Sequence, residues 1–512
     1  MSEEIRALIF LTAIIAAPLF FFLRFSSHIA LKKNVIIWIQ VWVLTTLLAF
    51  FAPNFWLYAL FLAFGLYYYT RNKPILKISL FFVLLPAIPA ATILIPSFGL
   101  VNYVFHIGHH HVLTLILLLP LLLKRSRGIK TNKSINILIF SYFLLVLGIS
   151  FRDSGVTEVM RIGFIKAIIM LIPFYAISKS IHNSEDIKTV FYAIIFGIFI
   201  QSVVGIAETL KTWHIYNSAV MSLGLDWGIG GYLSRNNLLR ASAALGHPIL
   251  LGYVSSIGLG LFLNFVPTEN KKMRPLFWFG IAIFVGSMIA TLSRGPWIGA
   301  ALIVLVFIMT GRKAIGKITK LAAVTFLALV MLSMTPRGQS FINLIPFMSA
   351  DDSIHAVSTI NYRQRLLEQS WIVIQRNLFF GSDNYLETPE METMRQGEGI
   401  IDIVNSYLQV ALETGLVGLG FFLLIFISIA IRLYKLLPIL KSNIKYKELL
   451  VQNRAMFATV VGIMLTIFTV SSIGITPIYY WSILALACAF IKVAKTEILQ
   501  HIMSIKQRRP VP

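Results

Sequence analysis

Two arginines in tight turns and one dense polar cluster are the residues whose types and spacing could do chemistry in this chain. Arg240 stands in 239-LRASAALGHPILLGY-253, just ahead of a Gly246-His247-Pro248 turn that feeds an apolar run. Arg294 stands in 291-TLSRGPWIGA-300, in a turn so short that two apolar runs almost touch, with Gly295 and Pro296 opening the second. A guanidinium stays charged at any ordinary pH, and its planar fork matches phosphate or carboxylate with two parallel hydrogen bonds. Anion binding is therefore the chemistry expected of Arg240 and Arg294. Arg363 and Arg365, in 361-NYRQRLLEQSWIVIQRNLFFGSDNY-385, are further candidates. The competing reading pairs such arginines with the nearby acids Asp153, Glu158, Glu368, Asp383, Glu387 and Glu398.

The polar cluster lies in 402-DIVNSYLQVALETGLVGLG-420. Asn405, Ser406, Tyr407 and Gln409 fall within about one helical turn and could hold sugar hydroxyls in a wet cavity. The structural alternative has Asn405 or Ser406 capping a helix, with Glu413-Thr414-Gly415 adjusting helix packing. A cap accounts for one or two polar residues and leaves the rest. Three groups could take a proton from a reacting hydroxyl. Asp402 is adjacent, in the loop. Glu413 lies further into the helix, where burial raises carboxyl pKa values. His247 titrates near neutrality unaided, although a histidine before proline also serves as a turn residue.

The elements that must position these groups are membrane helices. The chain is 57% hydrophobic and only 13% charged, against about 25% charged in a soluble domain. Apolar runs long enough to cross a bilayer, about 17 to 25 residues each, recur near 7–23, 35–51, 54–70, 75–95, 105–123, 134–150, 162–178, 189–208, 248–266, 275–291, 296–311, 321–334, 411–431, 455–472 and 478–493. The fold class expected is an all-α polytopic integral membrane protein with about 14 to 15 transmembrane helices. Four regions follow: an N-terminal bundle over 1–208, a central region with the arginine motifs over 209–334, a long loop over 335–410 and C-terminal helices with a tail over 411–512. Residues 361–380 show an approximate helical period and are too polar to span. They predict an amphipathic helix on the surface, stopped by Gly381-Ser382-Asp383-Asn384.

A formal net charge of +23 would suggest nucleic acid in a soluble protein, but its placement argues otherwise. Basic clusters such as 124-KRSRGIK-130 and those within 432–454 and 492–509 fall in every second loop. The positive-inside rule makes those loops cytoplasmic, puts the N-terminus outside and the C-terminus inside, and reads the charge as an anchor to anionic membrane lipids. No nucleic-acid partner is expected. The first apolar run follows an acidic MSEEIR and reads as a retained helix. On the outer side, Trp213, Trp227, Tyr232, Tyr362 and Tyr385 fit an interfacial aromatic belt better than sugar stacking.

His106, His109, His110 and His111 could share a helix face, but with no carboxylate or cysteine nearby an interfacial cluster is preferred to a metal site. The glycines of 223-LGLDWGIGGY-232 lack the context of a nucleotide loop. The single cysteine, Cys488, lies within the last span and offers neither disulfide nor metal site. No metal and no cofactor are expected.

Taken together, an arginine before a Gly-x-Pro turn, Ser-Arg-Gly between two spans, a long loop with an arginine- and tryptophan-bearing helix, and N-S-Y-L-Q followed by E-T-G-L-V-G-L resemble, over about 235–431, the O-antigen ligase and O-antigen polymerase (Wzy-type) superfamily, which includes exopolysaccharide polymerases. The resemblance implies a GT-C-type membrane glycosyltransferase of a bacterial inner membrane, with its site facing the periplasm. It implies donor and acceptor glycans carried on polyprenyl (undecaprenyl) diphosphate, and neither metal nor nucleotide sugar at that face. Arg240 and Arg294 match the family's arginines and would clamp the diphosphate. The ligase pattern commonly has histidine before Asn-x-Tyr-Leu-Gln. Here that position is Val404, which leans toward the polymerase branch and leaves Glu413, Asp402 and His247 as candidate bases. A chain-length regulator or another polysaccharide-assembly protein is a possible partner. The alternatives are a ligase moving a finished glycan to another acceptor and, in a different class, a flippase for lipid-linked oligosaccharide. A flippase predicts charges near the bilayer midplane rather than at the rim.

Overall fold

In the computed structural model the described residues are 3–27, 31–96, 103–124, 133–227, 234–235, 238–267, 272–335, 354–395, 399–472 and 474–508. Apolar runs become helices in order: α1 (Glu3–Ser27), α2 (Lys32–Phe51), α3 (Phe55–Tyr69), α4 (Pro74–Leu84), α5 (His109–Leu123), α6 (Lys133–Asp153), α7 (Val156–Ser180), α8 (Ser184–Lys211), α9 (Pro248–Phe265), α10 (Met273–Ala290), α11 (Arg294–Met309) and α12 (Ala314–Ser333). After these come α13 (Ile354–Arg376), α14 (Ser406–Lys441), α15 (Ile444–Ile467) and α16 (Thr476–Arg508). Their starts follow ordinary capping chemistry. Asn54 and Asn183 accept the N–H groups of Leu57 and Asp186, at 3.0 and 2.8 Å, while Pro74 and Pro248 occupy first-turn positions that need no N–H donor.

Among the described residues nine helices are long and apolar enough to cross a membrane: α1, α2, α6, α7, α8, α9, α10, α14 and α15. Four shorter apolar helices, α3, α4, α5 and α11, accompany them. The protein is thus an all-α polytopic membrane protein, and each expected apolar run is at least partly helical. Two runs differ from uninterrupted spans. The run 75–95 leaves its helix at Leu84, and Thr92–Pro96 pairs antiparallel with Tyr103–Gly108 before α5 begins. Pro86 and Pro89 account for the break, because proline lacks a donor and clashes with the preceding turn.

α8 and α9 form the centre. In α8 and α9, 83% and 89% of the most apolar stretch is buried, against 39% in α2 and α10, so these two helices are apolar on all sides because protein surrounds them. Small residues bring the neighbours close: a Cβ on Gly260 would strike Thr459, and one on Gly299 would strike Thr466, so α9, α11 and α15 approach backbone to backbone.

α14 is two helices joined at a break. Gly415 adopts φ 65°, ψ −169°, and the rings of Tyr407 and Phe422 lie 5.8 Å apart, although fifteen residues of straight helix would separate them by about 22 Å. The chain after α13 fills the break. Leu416 and Val417 donate their N–H groups to the carbonyls of Leu378 and Phe379 at 2.8 and 3.1 Å, and Ser382 N–H returns a bond of 2.9 Å to Leu412 carbonyl. A second small core of Leu366, Val373, Ile374, Met391, Ile403 and Leu412 ties α13 and its following turns to the short half of α14.

The surface helix at 361–380 is α13, although its helical stretch ends at Arg376 and the Gly381-Ser382-Asp383-Asn384 turn docks into α14 as well as ending a helix. Its expected apolar stripe divides. Leu366 and Ile374 are buried, while Leu367 and Trp371 are about half exposed, at 56% and 49%.

Candidate functional site

Arg240 is set in place by α8. Glu208, fully buried on that helix, accepts the N–H groups of Ser242 and Ala243 on Oε2 (3.1 and 2.8 Å) and of Ile215 on Oε1 (3.1 Å). Gln201 accepts Ala244 N–H at 3.2 Å, and the Thr209 hydroxyl lies 3.2 Å from the carbonyls of both Leu239 and Ala290. Ala243 has φ 49°, a left-handed conformation that costs a non-glycine residue of order 1–3 kcal/mol. The charge-assisted bonds from its N–H and its neighbour's to Glu208 offset that cost.

From this loop Arg240 reaches the second arginine turn. Its Nε donates to Thr291 carbonyl at 3.2 Å and its Nη2 to Ser293 Oγ at 2.9 Å. Arg294 follows as the first residue of α11 and is half-buried. Leu292, in the same turn, has φ 50°, so both arginine turns carry a strained non-glycine residue. Next to Arg294, Gly295 packs so closely on Thr469 that a Cβ would overlap the threonine hydroxyl. Arg363, from α13, donates to the carbonyl of that same Thr469 at 3.4 Å. The segments that carry Arg240, Arg294 and Arg363 meet at one rim, joined through the 291–295 turn and Thr469.

Asp402 closes this end. Its carboxylate accepts from Ser471 at 2.7 Å, its carbonyl accepts from Tyr362 OH at 3.0 Å, and its charge favours the cation of the exposed Arg363. His247 stands beside Arg240 as the N-cap of α9, its Nδ1 accepting Ile249 N–H at 3.2 Å. Burial, and then Arg240, push its pKa down to about 4, so it is neutral at physiological pH.

The short half of α14 runs from this rim to a polar cavity. Asn405 caps it, accepting from Tyr407 and Leu408 N–H at 2.9 and 3.2 Å. Ser406, fully buried, donates to Val470 carbonyl at 2.8 Å, and Tyr407 OH donates to Met464 carbonyl at 2.8 Å. These three side chains therefore make protein contacts here, while Gln409 donates to Glu413 Oε1 at 2.8 Å. Glu413 Oε2 lies 3.3 Å from Lys166 Nζ. Both line a cavity of about 450 Å³, together with Ser150, Ser154, Glu158, Asp383 and Asn384. Lys166 sits just before a π-helical turn, Ala167–Leu171, a local distortion common at functional sites. Asp383 accepts from Ser154 at 3.1 Å, and burial raises its pKa.

Other expectations resolve differently. Arg365 is two residues from Arg363, about 200° around the helix, and is exposed, as Arg363 is, so it is helix geometry rather than burial that turns it from the rim. Arg152, Arg161, Arg376 and Arg395 each pair with a carboxylate, as ordinary surface cations do. Val404 packs against the small core beside Ile403. Tyr385 is buried in that core, and Trp227 lies on Gly246. His109 is enclosed between Tyr58 OH (2.7 Å) and Leu84 carbonyl (2.9 Å). No group of three or more metal-ligating side chains occurs among the described residues. Tyr232 and Glu398 lie outside them. Sequence reasoning missed Glu208 and Lys166 as site-builders. A lone acid and a lone lysine inside apolar runs were the available signal.

The chain is thus an all-α membrane protein that gathers arginine-bearing segments at one end of a broken helix and a charged cavity at the other. Residues 279–423 match a family model described as O-antigen ligase, a match that spans less than half of the chain. No curated protein matches the chain. The matched region contains Arg294, Arg363, Asp402, Glu413 and Gly415 and begins after Arg240 and His247.

Proposed function

We propose that the protein is a glycosyltransferase that polymerises glycan repeat units carried on polyprenyl (undecaprenyl) diphosphate, at the periplasmic face of a bacterial inner membrane. The observation that carries this reading is the arginine rim, where Arg240 bonds to the turn that presents Arg294 and Arg363 meets the same turn through Thr469. As the sugar's anomeric C–O bond breaks, the diphosphate leaves with the bonding electrons, and fixed cations lower the barrier to that separation. The acceptor sugar's hydroxyl attacks the anomeric carbon and its proton passes to a carboxylate.

Glu413 is that base in this reading. It lies about 12 Å along the helix from Asn405, in a cavity whose hydroxyl, amide and carboxylate groups suit an acceptor sugar. Lys166 and Gln409 fix its orientation. Asp402 is held by Ser471 at the arginine end, and His247, kept neutral with Nδ1 occupied, is poorly suited to accept a proton. Val404, where the ligase pattern has histidine, favours polymerase over ligase.

The test is release of polyprenyl diphosphate by purified protein supplied with its lipid-linked glycan. Turnover by wild type, lost in Arg240→Lys and Arg294→Lys at matched folded yield, supports the enzyme. Binding of the lipid without any diphosphate release or longer glycan would favour a flippase.

A further inference from the structure

We infer that Glu208 is the positioning residue of the arginine rim, an inference that rests on the diphosphate-clamp reading. Its carboxylate takes three backbone N–H groups and lies 3.3 Å from His214 Nδ1, all within the protein. With both oxygens engaged and the group fully buried, it holds the chain in place rather than meeting a ligand.

What it holds is the backbone around Arg240. Thr209 reaches Leu239 carbonyl, Ala241 N–H bonds to Ala290 carbonyl at 3.0 Å, Glu208 takes Ser242 and Ala243, and Gln201 takes Ala244. The groups on either side of Arg240 are thus referred to one face of α8 or to the end of α10. Thr209 also touches Ala290 carbonyl, just before the turn that carries Arg294, so α8 sets the register of both arginine turns. The left-handed Ala243 shows why a carboxylate is needed. Its N–H and that of Ser242 converge on a single oxygen, an anion-accepting arrangement of successive amides that a neutral amide satisfies only in part. In Glu208→Gln one of the two ends presents NH₂ to backbone donors, and the Arg240 loop loses its reference.

A double-mutant cycle on diphosphate affinity tests this, with inorganic diphosphate as the probe and thermal stability recorded for each variant. Glu208→Gln is expected to weaken binding by about tenfold, Arg240→Ala to weaken it at least as much, and the double variant to bind no worse than Arg240→Ala alone, because Glu208 acts only through that arginine. Should Glu208→Gln fail to fold, Glu208→Asp, which keeps the charge but draws the carboxylate back from its three N–H groups, enters the same cycle with an expected loss of about threefold and the same non-additivity. Penalties that multiply, or wild-type affinity in the Glu208 variant that folds, overturn the inference and leave the clamp standing. Wild type that does not bind diphosphate, or Arg240→Ala that binds it normally, removes the clamp and the inference with it.

Discussion

Gly381 and Gly415 meet where two backbones touch. A Cβ on Gly381 would lie 2.5 Å from Leu412 carbonyl oxygen, one on Gly415 would overlap the Phe379 carbonyl, and both residues have positive φ, 58° and 65°. This contact seats the 378–382 turn in the break of α14 and aims Glu413 at its cavity. Alanine at either position incurs strain of order 1–3 kcal/mol from φ alone, plus the separation of the two chains. Gly415→Ala and Gly381→Ala should therefore lower thermal stability and speed trypsin cleavage at the exposed Arg376 and Arg395 as the backbone there loosens. Gly420→Ala, in a helical position with nothing within 4 Å, should be neutral or stabilising by up to about 1 kcal/mol. Equal behaviour of the three variants would sink this account of the break.

The arginine rim predicts a graded pattern. Replacing Arg240 or Arg294 with lysine keeps a charge but loses the planar fork, and loss of one preorganised donor at a developing negative charge typically slows turnover about 10²–10³-fold. Arg363→Lys should cost less, since it meets the rim through a long bond of 3.4 Å to Thr469. Arg365→Ala, on the exposed side of α13, should leave diphosphate release unchanged. A large loss at Arg365 with none at Arg294 would show that the rim is elsewhere.

Much of this was legible before the structure, and the parts that were not share a cause. Composition and hydropathy marked the helices because every spanning segment must satisfy its own backbone. Arg240 and Arg294 stood out as charges between apolar runs. The broken helix did not, because Gly415 within an apolar stretch reads as ordinary close packing. Only the pairing of its freed N–H groups with Leu378 and Phe379, some 40 residues away, shows the break. Glu208 was hidden similarly: its ligands are backbone N–H groups, which leave no mark in side-chain composition. Asn405, Ser406 and Tyr407 looked like one hydroxyl-binding cluster; the cap at Asn405 was open to local reading, whereas the carbonyl partners of Ser406 and Tyr407 near the end of α15 could not be read from local spacing.

The two carboxylates near α14 should separate in kinetics. Glu413→Gln preserves size and removes the proton acceptor, so kcat should fall about 10²–10⁴-fold with little change in KM. Asp402→Asn keeps an acceptor for the Ser471 hydroxyl and should stay within about fivefold of wild type, the worth of one ordinary hydrogen bond. The reverse ranking would make Asp402 the base and put the acceptor at the arginine end of the short helix.

His247 gives the pH dependence a definite sign. Its pKa is about 4 in the fold against about 6.5 in the unfolded chain. Between those values the unfolded state binds a proton that the folded state does not, so His247 makes stability fall as pH drops through that window and contributes no slope above it. His247→Asn keeps a side-chain acceptor for Ile249 N–H and removes the titration. Subtracting the variant's Tm–pH curve from that of wild type cancels the other acids, and the difference should slope between pH 4 and 6.5 and flatten toward neutrality. A difference that is flat throughout, or that slopes near neutrality instead, would mean that His247 is not the buried neutral cap beside Arg240.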